Sequence, residues 1–275
     1  MFRNITLGQY YPVDSVIHRF DPRVKLLGVL VYISALFIIN NIWGFLFLAG
    51  TLAAAISLSH IPLKHMMKGL RGILVLIILA VVFNLFSGDG PVLWQWWILK
   101  LTANGFLRAA FFALRLICVV FVTGLLTYTT TPTTLTNGLE KVFSWLKIIH
   151  FPAHEIAMMM SIALRFIPIL AEEVNKITNA QLARGADFET GGIIKKAKGM
   201  IPILIPLFVS AFKRAADLAT AMEARCYHGG DGRTKLHPLK YERRDKIAYI
   251  MILLFLLVTI GLRIWMDCSL QSGRI

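Results

Sequence analysis

The sequence predicts an all-α, polytopic membrane protein, and three observations lead there. The 275-residue chain is 57% apolar and only 16% charged, with a mean hydropathy of +0.67, outside the range of soluble globular domains. About five apolar stretches approach or reach the roughly 17 to 25 helical residues that a bilayer core requires. They lie near 24–39, 42–59, 70–86, 105–127 and 247–262. The basic residues are also unevenly placed. Of 29 Lys and Arg, 24 fall on segments that share one face of a membrane if these spans alternate. The positive-inside rule then places the N-terminus in the cytoplasm and the C-terminus outside. The formal charge of +14 therefore reports topology, and no nucleic-acid partner is expected. A multi-pass membrane protein fits this pattern, with the lipid bilayer as its first partner.

The early residues carry no compact apolar stretch with a cleavage site, so no removable signal peptide is expected. Cys118, Cys226 and Cys268 are odd in number and far apart, which indicates neither a disulfide framework nor a zinc cluster.

The elements follow in order. Asp21-Pro22-Arg23-Val24-Lys25-Leu26 reads as a helix start, with Asp as N-cap, Pro at the first helical position and basic side chains snorkelling to the interface. Asn40-Asn41 joins the first two spans tightly. Residues 61–71, with Lys64, His65, Lys68 and Arg71 at helical spacing, read as a short amphipathic helix in the cytoplasmic interface. Gly88-Asp89-Gly90-Pro91 is a turn, and Trp94, Trp96 and Trp97 belong at the headgroup level of the opposite face. Residues 1–127 thus form an N-terminal membrane region with four spans. Residues 247–275 supply a last span and tail.

Between them, residues 128–246 are too long for a loop and contain helices of their own. Thr130, Thr131, Thr133 and Thr134 around Pro132 lead into a short helix near 135–147. Pro152 starts a long helix to Arg184, on the order of 50 Å at about 1.5 Å per residue, with a kink expected at Pro168. Gly191-Gly192 and Lys195, Lys196 and Lys198 form a basic connection. A second long helix then runs from about Met200, through Pro202 and Pro206, to Arg225. His228-Gly229-Gly230-Asp231-Gly232 ends it.

The two long helices share a pattern. Glu172 to Arg184 reads EEVNKITNAQLAR, followed by Gly185; Lys213 to Arg225 reads KRAADLATAMEAR, followed by Cys226. Val174, Ile177, Gln181 and Arg184 occupy nearly one helix face, as do Ala215, Leu218, Met222 and Arg225. Each arginine is thereby expected to extend the packing stripe. An arginine at a helix C-terminus also simply meets the dipole, at roughly 0.3 to 1 kcal/mol. Two arginines at matching phase, flanked by the small residues Ala183, Gly185, Ala224 and Cys226, point instead to a shared structural unit. Small neighbours let a groove close around a guanidinium, whose five donors can satisfy several acceptors. Truncating one partner of such a buried charged contact costs roughly 2 to 5 kcal/mol. Aligning the copies sets Glu172 and Glu173 opposite Lys213 and Arg214. Opposite charges meet there if the helices cross at that level; otherwise these are solvated surface charges worth about 0.2 to 1 kcal/mol per pair.

Catalytic signatures are missing. No GxxxxGK[ST] occurs, so the chain has no phosphate-cradling loop of its own. His154-Glu155 has no second His at zincin spacing, and Asp231-Gly232-Arg233 lacks further paired aspartates for metal. No Cys–His–carboxylate arrangement stands out. Arg108 and Arg115, seven apart on the fourth span, are the charges expected deepest in the bilayer and are functional suspects for that reason. Pairing with carbonyls and contact with a partner both remain open for them.

The combination of HRFDPRVKLL near the N-terminus, ALRFIPILAEEVNKITNAQLARGADF and the second tip AMEARCYHGG resembles the transmembrane T component of energy-coupling factor (ECF) transporters, over nearly the whole chain. The resemblance implies a non-catalytic scaffold that joins two cytoplasmic ABC ATPases, a homodimer or heterodimer, to a small membrane S component holding a vitamin or metal ion. It implies that ATP and Mg are bound by the ATPases, and that this chain binds no cofactor or metal. It further implies two crossed coupling helices whose X-Arg-X tips, here Arg184 and Arg225, insert one into each ATPase. The second tip reads Ala-Arg-Cys where Ala-Arg-Gly is common, so a different helix ending is expected there. A conventional ABC importer permease and a self-contained secondary transporter are the alternatives. The permease would dock through one short loop helix, and the carrier would need broken helices and polar residues at the midplane.

Overall fold

The computed structural model describes residues 10–86, 92–96, 99–143, 152–186, 192–229 and 241–272. The described residues are helical apart from one short hairpin and the connections between elements. The helices are α1 Pro22–Ile38, α2 Ile42–Ser59, α3 Leu63–Phe86, α4 Ala103–Thr129, α5 Pro132–Phe143, α6 Ala153–Ala183, α7 Ile193–Ala224 and α8 Arg243–Ser272. The hairpin pairs β1 Val92–Trp96 with β2 Leu99–Thr102, antiparallel, with an irregularity between Val92 and Trp94. It adds two strands to an otherwise all-α polytopic fold. The expected Gly88–Pro91 turn, the C-terminal part of the helix predicted to reach residue 147, and Gly191, Gly230, Asp231 and Gly232 lie outside the described residues. So do Trp97 and the side chains of Trp94 and Trp96.

Contacts divide the chain into two units, one drawn from 8–138 and 239–275, the other containing 139–238. In the first, Asp21 caps α1 as expected: its Oδ1 accepts the Arg23 N–H at 2.9 Å, and Pro22 takes the first helical position. Its two bases do not snorkel. Arg23 is buried, with its guanidinium 4.7 Å from the Tyr241 ring centre. The Lys25 ammonium donates to the carbonyls of His18 and Thr129, at 3.1 and 2.8 Å. Thr129 ends α4, so the cation completes orphan carbonyls at the negative end of that helix dipole. The Asp245 carboxylate does the same for two N-terminal segments. Its Oδ1 accepts the Asp21 N–H and its Oδ2 the Glu242 N–H, both at 2.9 Å.

The core of this unit is built on Tyr32, Leu36, Phe45, Leu48, Leu52, Cys118 and Val122, drawn from α1, α2 and α4. Phe255 of α8 stacks on Tyr32 and Phe47, with ring centres 5.8 and 5.7 Å apart. The Tyr32 hydroxyl donates to the Leu48 carbonyl at 2.9 Å, which satisfies the one polar atom this ring carries into the core. The tight α1–α2 turn requires Gly44, where a Cβ would lie 2.5 Å from Ile39 Cγ2.

Several expectations need correction. The separate interfacial helix over 61–71 does not exist, because Leu63–Phe86 is one continuous 24-residue helix. Nothing between Lys68 and Leu74 breaks it; Gly69 and Gly72 are tolerated inside helices at about 1 kcal/mol each relative to Ala. Likewise α7 begins at Ile193 rather than Met200, so Lys195, Lys196 and Lys198 are helical. Pro202 and Pro206 sit inside α7, and Pro168 inside α6, without ending either helix. The sequence reading also counts residues 24–39 among about five spans and leaves both long helices out. Among the described residues, 6 helices are long and apolar enough to cross a membrane by length and composition alone: α2, α3, α4, α6, α7 and α8. At 17 residues α1 lies at the lower end of the length a span requires, and the apolar halves of α6 and α7 make those two helices long and apolar enough as well.

Candidate functional site

In the second unit α6 and α7 pack against each other, and their meeting point is charged. Arg214 Nη2 of α7 donates to Glu173 Oε2 of α6 at 2.9 Å, between residues 41 apart in sequence. That separation is the offset of the sequence repeat, so corresponding positions of the two copies face one another. Such self-facing occurs where two similar helices cross about a local two-fold axis. Beyond it the helices run against each other. Gln181, eight residues further along α6, reaches back to Pro202, twelve residues earlier in α7, with Nε2 3.5 Å from the Pro202 carbonyl oxygen. That carbonyl lacks its usual intrahelical donor, because residue 206 is a proline. Gln181 thus sits at an acceptor left open by helix chemistry. Among the described residues no ion pair joins Glu172 with Lys213; both are exposed.

The two tips end alike. Ala183 and Ala224 are the last helical residues, and Arg184 and Arg225 are the C-caps. At the first tip, Gly185 N–H donates to the Leu182 carbonyl and Ala186 N–H to the Gln181 carbonyl, both at 3.0 Å. At the second, Cys226 N–H donates to Glu223 at 2.9 Å and Tyr227 N–H to Met222 at 3.0 Å. Both are Schellman terminations, which need a left-handed residue one past the cap. Gly185 supplies it with φ +84° and Cys226 with φ +56°. The expected difference between the endings is therefore absent in hydrogen bonding. It survives as strain, since a non-glycine residue in this region carries a Cβ close to its own carbonyl, at about 1 to 2 kcal/mol.

One expectation about the arginines fails. The half-buried stripe runs through Val174, Ile177 and Gln181 on α6, and through Arg214, Leu218 and Met222 on α7. It stops one turn short of the tips, and Ala215 lies off it. Arg184, Arg225 and all four small flanking residues, Ala183, Gly185, Ala224 and Cys226, are exposed. Because each arginine is the cap rather than a helical residue, it leaves the packing face and projects beyond the helix end. Arg184 stands eleven residues past Glu173, and Arg225 eleven past Arg214, so each lever arm is about 16 Å at about 1.5 Å per residue.

Toward their N-termini both helices are apolar on the surface of the chain. Met159, Met160 and Ile167 of α6 are exposed, as are Ile201, Leu204, Ile205, Phe208, Val209 and Phe212 of α7. Patches of that extent mark membrane or protein contact. The same unit holds one further polar pair, His154 Nδ1 and Glu140 Oε1 at 3.0 Å.

The sequence reading missed Asp245, and it placed Gln181 on the packing stripe without its acceptor. A signal for the first existed: Glu242 and Asp245 open α8 in an otherwise basic stretch. None existed for the second, whose acceptor depends on the register between helices.

The family described as Cobalt transport protein (CbiQ) matches residues 14–236. The chain is 48% identical over 267 residues to the energy-coupling factor transporter transmembrane protein EcfT of Clostridium kluyveri, covering 96% of this chain and 99% of that relative. The proteins of the same name from Lactococcus lactis subsp. cremoris and Bacillus subtilis are 42% and 39% identical, over 97% and 96% of this chain and 100% of each relative.

Proposed function

The chain belongs to the family of energy-coupling factor transporter transmembrane proteins, the T components, and on that premise we propose that it is the scaffold through which two ABC ATPases drive a small substrate-binding S component. Arg184 and Arg225 are the docking knobs, one for each ATPase, with Ala183, Gly185, Ala224 and Cys226 leaving room for a groove to close on each guanidinium. ATP and Mg belong to the ATPases; the chain performs no catalysis and holds no cofactor. Its membrane is the bacterial cytoplasmic membrane, with the N-terminus on the ATPase side.

A single observation carries this reading: two exposed arginines cap two helices in the same Schellman geometry, at equal distances from a crossing where the repeat meets itself. Equal arms are what a part needs to engage two equivalent bodies. Closure of the ATPases would move both tips together. The crossing would pass that movement to the apolar halves of α6 and α7, whose exposed faces suit the S component and lipid. Release of the bound vitamin or metal ion follows from tilting that component.

The test is gentle extraction of the whole transporter with Arg184→Glu or Arg225→Glu. Losing one anchor should weaken ATPase retention by roughly 2 to 5 kcal/mol, about 1.5 to 3.5 decades, while the chain stays in the membrane and keeps the S component. Full ATPase retention and undiminished uptake in the double variant would sink the proposal.

A further inference from the structure

The end of the first unit that carries the α1–α2 turn has an open cavity of about 490 Å3. Its polar lining is Asn40, Asn84, Arg108 and Arg115, set among the phenyl rings of Phe45 and Phe111. Arg115 spends one nitrogen on structure: Nη2 donates to the Ile39 carbonyl at 2.9 Å and to Asn40 Oδ1 at 3.1 Å, which completes the C-terminal end of α1. Its Nε is buried without a hydrogen-bond partner. Arg108, two turns away on the same face of α4, is exposed, and among the described residues no carboxylate pairs with either arginine.

Both arginines belong to the apolar segment Gly105–Thr129, at the end of the helices where cations are scarce. A charge inside an apolar segment is costly unless matched, and neither amide nor ring neutralises a second guanidinium. The chemistry that matches two guanidinium groups is an anion. Guanidinium forks select planar or tetrahedral oxyanions, phosphate above all, and unpaired donors beside amide groups complete such a shell. Leu107 and Phe112 on the same wall offer hydrocarbon where a free ion would need water. A phosphate that arrives on a glycerol and acyl chains satisfies both parts of the lining.

We propose that this cavity binds the phosphate of a phospholipid headgroup, in the leaflet at the cation-poor end of the helices, with Arg108 and Arg115 as its ligands. Native mass spectrometry of the complete, delipidated transporter tests this, by titration with phosphatidylglycerol, phosphatidylcholine, diacylglycerol and inorganic phosphate. The first equivalent of either phospholipid should bind at least tenfold more tightly than diacylglycerol. Arg108→Gln should remove that preference, Arg108→Lys should keep part of it, and millimolar inorganic phosphate should not displace the lipid. Arg108 is the residue to change, because Arg115 also fastens the α1–α2 turn. Equal binding of diacylglycerol, or an unaltered preference in Arg108→Gln, would overturn the proposal. Quantitative displacement by inorganic phosphate would do so as well, by assigning the site to the free ion. A photo-crosslinker at position 107 should label lipid; labelling of another polypeptide would show that the cavity is a protein contact instead.

Discussion

Glu173 and Arg214 meet at 2.9 Å, and they are the same position in two copies of one sequence pattern. The contact therefore marks the point about which α6 and α7 cross, and its charge complementarity selects that register over neighbouring ones. Their side chains retain 24% and 39% exposure, so solvent screens the pair and its net worth is about 0.5 to 1 kcal/mol. Glu173→Arg and Arg214→Glu should each loosen the crossing, and the exchange of both charges should restore it. A double-mutant cycle on thermal stability of the extracted transporter should give a coupling of about that size, shrinking in high salt. Additive single effects would remove the pair from the crossing.

The two tips differ in one backbone cost. Cys226→Gly should relax the left-handed residue and raise amide protection at Tyr227 in hydrogen exchange. Gly185→Ala should lower it at Ala186, each by about 1 kcal/mol. If Gly185→Ala left α6 unfrayed, the Schellman geometry would not be what ends that helix.

Asp245 holds two backbone donors at once, those of Asp21 and Glu242. Asp245→Ala leaves the buried Asp21 donor and the part-buried Glu242 donor without acceptors and should cost about 1 to 3 kcal/mol, most of it from the first. Asp245→Asn keeps one acceptor oxygen and should fall between. Melting of the extracted protein measures both, and an unchanged melting temperature in Asp245→Ala would dismiss the double cap.

His18 braces the N-terminal segment in its neutral form. Its Nε2 donates to the Tyr11 carbonyl at 3.0 Å and its Nδ1 lies 2.7 Å from Ser15 Oγ as acceptor. Burial pushes the imidazole below its usual 6.5; the Tyr11 carbonyl opposes that, and the Lys25 ammonium adds to it. With the folded value below the unfolded one, the unfolded chain takes up the proton first. The stabilisation is therefore complete above pH 6.5 and is lost as pH falls through the lower folded value. His18→Gln should flatten the stability profile of the extracted protein between pH 7 and 5. A profile equally steep in the variant would assign the acid sensitivity elsewhere.

Much of this is legible in the amino-acid sequence. Asp21-Pro22 announces a capped helix because its chemistry is local, and the boundary at Arg184 follows from Gly185 for the same reason. Hydropathy reveals spans because hydrocarbon imposes a length on them. The repeat is visible because it lies in residue identity. Where local chemistry was permissive the reading slipped: nothing in 61–71 says whether a basic amphipathic turn stands alone or continues into α3, and lysines at 195–198 are as acceptable in a helix as in a connection.

What the sequence by itself determined is the set of capped apolar helices and the twin Ala-Arg endings, since propensity, capping and burial act between near neighbours. Only the tertiary structure decided that Glu173 faces Arg214, that Gln181 reaches the carbonyl left open by Pro206, that Asp245 holds the start of α1, and that Arg115 secures the end of the same helix. Each of those depends on register and distance between segments far apart in the chain, and a hydrogen bond is satisfied or lost within a fraction of an ångström.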